Sequence, residues 1–517
     1  MRRFIFSIII LSTCLLANVQ GQPVTESEVR TVAGNWIKVI IARKGSWGDS
    51  NDARLAGISE FKRKGRTIGY FCKVEPMGYI IVSLRKELAP VKAYSDTGNL
   101  NPDCEEGLAD LIKGKMEQII NGIERTTGPI KTAKTQDIRS ILEIDYSSDW
   151  NELLSGTVGV QTKESEAQGQ FETMNYQEGV ILLTSSWNQD DPYNLQCPAP
   201  GSGDDCAEAR CAVGCGPLSM AQVMRYWAWP PYKDPFTVSY DWANMPDRLF
   251  AGPTPPRSPL AQIDAVATLC REAGVEAGAD YCDDKCATST YFAGYIYRDM
   301  LDAFEEHFHY SSAAEHPNRD SYSADDWFNL IQGELNANRP IPYAVKAHVM
   351  VCDGWQIVDS TKQYHMNYGW NDANGPCPSH SNAWYTLDEL CLGDFDEEEL
   401  LNNLYPACSL GSSLSNFLFP DLPVSYGVPS PLTYRYFNVD ATGNDVTFAA
   451  GHHLQFLPGV TATGTSLIGK YIQFLGTPAD NTRLFSIKGT STGGSVAGAV
   501  IYDGEIRLYN NGSIRFH

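Results

Sequence analysis

The chain has 517 residues, 43% hydrophobic and 20% charged, enough for about three domains with cores of their own. Its net charge of −22 would repel a phosphate backbone, which argues against nucleic acid as a partner. After the first residues no apolar run approaches the ~18 residues of a membrane span, so no span is expected in the mature protein.

Residues 1–21, MRRFIFSIIILSTCLLANVQG, place two arginines before a short apolar run and then small residues, the layout of a secretory signal cut after Gly21. Export to the extracellular space or periplasm is expected; lipoprotein anchoring through Cys14 is the alternative, with Thr13 an awkward neighbour for it. In residues 22–150, Val29, Val32, Ala33, Trp36 and Ile40 recur at helical spacing, short alternating runs follow, and GLADLIKGKMEQIINGIE reads as a second helix. This predicts a compact α+β unit with its own small antiparallel sheet. Residues 151–179 are polar and aperiodic, an exposed connector of the kind proteases cut. Residues 180–410 carry helical patterns at 216–227, 259–274, 291–306 and 325–338, then strand patterns at 341–352 and 363–370. A Pro-rich linker, 411–432, leads to Gly- and Asn-punctuated strands in 433–517, an appended all-β region.

Losing Cys14 with the signal leaves thirteen of the fourteen cysteines, an odd number, so at least one thiol stays unpaired within the chain. Cys282 with Cys286 and Cys377 with Cys391 are close enough in sequence to staple loops, although connectivity is not legible from spacing.

Cys215 stands out among these thiols. Gly216 and Pro217 follow it, and proline suits the first helical turn, so the helix starts at the cysteine and runs through Leu218, Ala221, Met224, Tyr226 and Trp227 to Trp229 and two prolines. The positive end of a helix stabilises a thiolate, and its first amides can receive an oxyanion. A helix-start cysteine that merely packs or bridges is the plainer alternative; Cys206 and Cys211 suit that role.

A nucleophilic thiol needs a proton carrier. His307 and His309 end a Glu-rich helix, His316 and His380 sit in polar loops, and His452, His453 and His517 lie in the β region without metal-ligand spacing. His348 and Asn367 are better placed, on two strands of an expected hairpin around 359–362, where the carboxamide could orient the imidazole and Trp370 could shield the pair. A satisfied core histidine is the competing explanation. His365, two residues from Asn367, is read as structural. Gln189, in a turn ahead of Pro192, offers a side-chain N–H to an oxyanion, though a loop glutamine ordinarily faces solvent.

Taken in order, LLTSSWNQDDPYN, GCGPLSMAQVMRYW, AHVMVCDGW and YHMNYGW resemble streptopain-like cysteine peptidases of the papain clan, and GYIIVSLRKELAPVKAYSDTG resembles their inhibitory propeptide. The resemblance covers roughly residues 25 to 410. It implies an α+β, papain-like catalytic domain with a helical half and an antiparallel-sheet half, preceded by a small α+β propeptide domain. It assigns Cys215 as nucleophile, His348 as general base, Asn367 as the histidine-orienting residue, Gln189 as oxyanion donor and Trp370 as the indole over the pair. It implies a zymogen that cleaves proteins or peptides, prefers a hydrophobic side chain two residues before the cut, needs no cofactor or metal, and is inhibited by its own propeptide. Lys346-Ala347 and Tyr368 depart from the family pattern beside the site. The tail resembles short β-rich modules that end secreted proteins of the Bacteroidota type. Two other functions fit the sequence: transglutaminase-like or ligase acyl transfer on the same residues, and a non-enzymatic secreted binding or adhesion protein.

Overall fold

In this computed structural model the described residues are 23–156, 178–230, 232–233, 238–294, 299–308, 310–345, 348–358, 360–370, 382–386 and 398–405, together with short strands between 433 and 516. The signal and most of the connector lie outside them.

Helix Glu26–Lys44 opens on a capping box, in which Thr25 and Glu28 satisfy each other's amides, and stops at Gly45, whose φ of 90° suits a residue without Cβ. Four antiparallel strands follow: Arg54–Arg63, Arg66–Glu75, Tyr79–Ser83 and Val91–Ser95. The third is buried along its whole length because helices cover both of its faces. With side chains alternating, Ile80 and Val82 share a core with Trp36 of the first helix, while Tyr79 and Ile81 share one with Ile112 and Met116 of helix Gly107–Thr127. The unit extends to helix Ser147–Ser155, where Trp150 and Leu153 join the first helix and Asn35 Nδ2 donates to the Leu153 carbonyl at 2.7 Å.

The second unit packs helices Cys215–Trp227 and Leu260–Glu276 against the strands Ile341–Val345 and His348–Val358, with helix Ala324–Asn336 beside them. The expected hairpin forms between His348–Val358 and Thr361–Asn367, joined across Val358 and Thr361. The helical pattern at 291–306 is largely not a helix. Residues 291–294 are irregular, 295–298 lie outside the described residues, and helical turns begin only at Met300, running through a π-turn at Ala303–His307. Gly294, with a φ of 81°, interrupts the pattern.

The two units share more than the sequence suggests. Strand Asn382–Tyr385 pairs on one side with Thr361–Asn367 and on the other with Val91–Ser95, setting Trp384 opposite Tyr94 and Tyr385 opposite Ala93. The small sheet of the first unit therefore supplies four strands of one nine-stranded sheet. One apolar cluster also runs through both, from Ile112 and Ile119 to Trp327, Ile331 and Met350. From residue 433 on, the described strands pair into a three-stranded and a four-stranded sheet.

Candidate active site

Gly214 precedes the helix at a φ of 90°, and a Cβ there would lie 3.0 Å from the Thr288 side chain, so only glycine brings the chain so close to the hairpin Asp280–Ser289. Cys215 follows as the first helical residue, a free and partly buried cysteine. Burial around its sulfur pushes the thiol above its ordinary value; backbone hydrogen bonds from Val349 and from the helix start at Gly216 act against this without prevailing. The thiolate expected from the helix terminus is thus not favoured in this form. Val349 is the residue after His348.

Two disulfides fasten the approach to Cys215. They join Cys206 to Cys286 and Cys211 to Cys282, closing separations of 80 and 71 residues. The expected bridge between Cys282 and Cys286 is corrected: each of these hairpin cysteines is paired with the 206–211 loop instead, and the hairpin is secured to that loop rather than to itself. Cys377 and Cys391 lie outside the described residues. Between the bridges and the nucleophile, Ala212 N donates to the Cys286 carbonyl at 2.8 Å and Val213 N to the Gln189 carbonyl at 2.9 Å. Gln189 is held in this way two residues from the helix start.

The imidazole of His348 is buried. Its Nε2 lies 2.9 Å from the Tyr368 carbonyl oxygen, which can only accept, so the neutral ring carries its proton there. The ring stacks on Trp370 with centroids 3.8 Å apart and planes inclined by 24°. Burial drives its pKa from 6.5 down to about 4, against the opposing carbonyl bond. His348 does not lie opposite Asn367 as the sequence predicts: the register sets Val351 there, even though a bulge between Cys352 and Gly354 shifts the pairing by one residue toward His348. The Asn367 carboxamide is engaged elsewhere: Oδ1 accepts from Gly369 N at 3.2 Å, and Nδ2 donates to the Ser185 carbonyl at 2.7 Å and to Gln222 Oε1 at 3.0 Å.

Sequence reasoning overlooked three groups here. Gln222 and Ser185 surround Asn367; a glutamine seven positions after Cys215, on the same helical face, was the available signal. Asp353 takes His365, with Nδ1 and Oδ1 2.6 Å apart and both side chains almost fully buried, and its other oxygen accepts from Leu183 N at 3.2 Å. His365 thus has a structural partner. His307 lies 3.3 Å from Glu276, while His309 and His380 are outside the described residues. Among the described residues no cluster of His, Cys, Asp and Glu could hold a metal ion, and no helix is long and apolar enough to cross a membrane.

Residues 187–376 match the peptidase C10 family, and residues 21–119 match the Spi protease inhibitor family. The chain is 25% identical over 401 residues to the thiol protease/hemagglutinin PrtT of Porphyromonas gingivalis, covering 72% of this chain but only 40% of that protein. It is 24% identical over 419 residues to streptopain of Streptococcus pyogenes, covering 75% of this chain and 91% of that one. Among solved structures, a fragment of prointerpain A from Prevotella intermedia is 20% identical with a TM-score of 0.47, covering 68% of this chain and 98% of that one. Active interpain A is 23% identical with a TM-score of 0.34, covering 44% and 94%.

Proposed function

We propose that the chain is a streptopain-like cysteine peptidase in which a Spi-type inhibitor domain precedes a C10-type peptidase domain, with Cys215, His348, Asn367 and Gln189 forming its catalytic site. The protein is a secreted endopeptidase made as a zymogen, its propeptide domain removed by cutting within 151–179. Residues 433–517 form an appended all-β domain outside the chemistry.

The Cys215 sulfur attacks a peptide carbonyl, and the oxyanion is received by the Cys215 amide and the Gln189 side chain. His348 passes the proton taken from the thiol to the leaving amine as the C–N bond breaks, leaving a thioester. It then takes a proton from water, whose oxygen displaces the sulfur and frees the acid product. Asn367 orients the imidazole in the working form, and Trp370 covers it. A hydrophobic side chain two residues before the cut is the preferred substrate feature, carried over from the family resemblance.

The surroundings of His348 support a latent state. With its Nε2 on Tyr368 and its ring on Trp370, burial favours the neutral imidazole, and the burial of Cys215 favours the thiol, so this form disfavours a thiolate–imidazolium pair. Activation brings the ring to Asn367 and the sulfur.

The observation that carries the reading is the packing of helix Cys215–Trp227 on strand His348–Val358, with Cys215 against the apolar cluster that holds Val349, the neighbour of His348, which brings two distant parts of the chain together. The test is labelling of the processed protein with a thiol-directed peptide electrophile. Stoichiometric modification at Cys215, with peptide cleavage abolished in Cys215→Ala, supports the site. Modification at another cysteine, or cleavage that survives Cys215→Ala, overturns it.

A further inference from the structure

We propose that Gln222 is a positioning residue for this peptidase, one that presents Asn367 to the imidazole while touching neither substrate nor sulfur. The proposal rests on the site assignment above and extends it to a side chain without a role there.

Gln222 lies on helix Cys215–Trp227, seven residues after the nucleophile. At 100° per residue that separation returns to nearly the same face, two turns deeper. It is 1% exposed, and its neighbours Met220, Ala221, Val223 and Met224 are buried apolar residues. A primary amide in such surroundings is costly unless its hydrogen bonds are made. Here they are made in one direction. Oε1 accepts from the Ser185 hydroxyl at 3.1 Å and from Asn367 Nδ2 at 3.0 Å, and Nε2 approaches Asn367 Oδ1 at 3.4 Å.

These contacts decide which way the Asn367 carboxamide faces. Its Nδ2 is held by two acceptors, Gln222 Oε1 and the Ser185 carbonyl, so the amide cannot reverse without setting oxygen against oxygen. Its Oδ1 is held firmly only by Gly369 N at 3.2 Å. The 3.4 Å approach of Gln222 Nε2 is the weakest contact of the set, and its place on Oδ1 is the one an arriving imidazole N–H takes up. Because Gln222 and Cys215 share a helix, the same rod fixes the sulfur and, through Asn367, the direction of the histidine.

The experiment uses the processed full-length protein. Gln222→Met conserves volume and removes both polar atoms; it is expected to lower kcat about 10- to 100-fold while KM stays within about twofold, as misorientation of a general base requires. The acid limb of the kcat/KM profile should move, because the imidazole loses an oriented acceptor. In an Asn367→Ala background the same change should alter kcat by less than about twofold, since a residue acting through Asn367 has nothing left to act on. Should Gln222→Met fail to fold, Ser185→Ala replaces it, with a smaller loss of kcat in the same direction. An unchanged kcat and pH profile, or losses that simply add to those of Asn367→Ala, overturn the proposal. Labelling at Cys215 in the unaltered protein separates this failure from failure of the site assignment, which would abolish labelling there.

Discussion

The imidazole of His348 and the main-chain carbonyl of Tyr368 are joined by a 2.9 Å hydrogen bond, while the carboxamide of the intervening strand residue, Asn367, is bound to Gly369, Ser185 and Gln222. Under the proposed site assignment, the imidazole is thus bonded to the neighbour of Asn367 rather than to its carboxamide. The latent form is a definite bonding arrangement whose energetics can be measured.

The first consequence is a pH dependence. His348 has a pKa of about 4 in the folded chain against 6.5 when free. Above about pH 6.5 the ring is neutral in both states and contributes nothing. Between about 6.5 and about 4 the unfolded chain takes up a proton that the folded chain refuses, so stability falls with falling pH, by on the order of 3 kcal/mol across the window. Thermal melting of full-length Cys215→Ala, which cannot process itself, should show this decline, and adding His348→Gln should flatten it. Identical pH profiles for the two proteins would remove the buried neutral imidazole from the account.

Trp370 supplies the face on which that imidazole rests, at 3.8 Å between centroids. Replacing it with alanine should cost about 0.5–1.5 kcal/mol of ring contact in addition to the buried area lost. It should also open His348 to water and raise its pKa toward 6.5. Carbethoxylation of His348 in full-length Cys215→Ala, followed by mass spectrometry, should be clearly faster in the Trp370→Ala protein; an equal rate would mean that other groups shield the ring.

In the proposed zymogen, Glu143 ties the propeptide unit to the peptidase. Its Oε2 accepts from Ala324 N at 2.6 Å and lies 3.3 Å from Arg319, a guanidinium only 3% exposed. Removing the carboxylate takes one charged partner from that buried cation, a loss of about 1.5–3 kcal/mol. Where opening precedes the cut, conversion follows the open population, so Glu143→Ala should mature at least about tenfold faster than the unaltered chain when followed by gel. Unchanged conversion would place the hold on the inhibitor elsewhere in the interface.

The two disulfides are nested, and this makes their contributions unequal to their spans. With one bridge intact, the other closes only a ring of about ten residues, so either lost alone should cost about 2–3 kcal/mol and both together about 7 on chain-entropy grounds. Melting of Cys206→Ser/Cys286→Ser, of Cys211→Ser/Cys282→Ser and of the fourfold variant should show a combined loss larger than the sum. Peptidase activity should likewise rise with low thiol reductant, which keeps Cys215 reduced, and fall once the bridges open. Additive melting losses would argue against the nested arrangement.

Local chemistry made part of this legible before any coordinates. A cysteine followed by Gly216 and Pro217 identifies its own helix start, and the two strands around 359–362 carry enough β-branched and aromatic residues to pair. What sequence could not supply depended on tertiary pairing. Cys282 and Cys286 look self-sufficient by spacing, yet their partners are 71 and 80 residues away. The pairing sets Val351 rather than His348 opposite Asn367, and Gln222 reads as an ordinary helical polar residue until its partners appear. The edge-to-edge joining of two sheets leaves no local mark, because Tyr94 and Trp384 look like any strand aromatics.

That joining has an outcome for the matured enzyme. Strand Asn382–Tyr385 is interior only while Val91–Ser95 lies beside it, and Trp384 is 1% exposed because Trp36, Tyr94 and their neighbours enclose it. Departure of the inhibitor turns this strand into a border with unpaired amides and carbonyls next to a newly wetted indole, the combination that recruits strands from other molecules. Freshly activated peptidase should therefore be at its most aggregation-prone, with light scattering rising as the propeptide is lost and subsiding when separate inhibitor domain is added back.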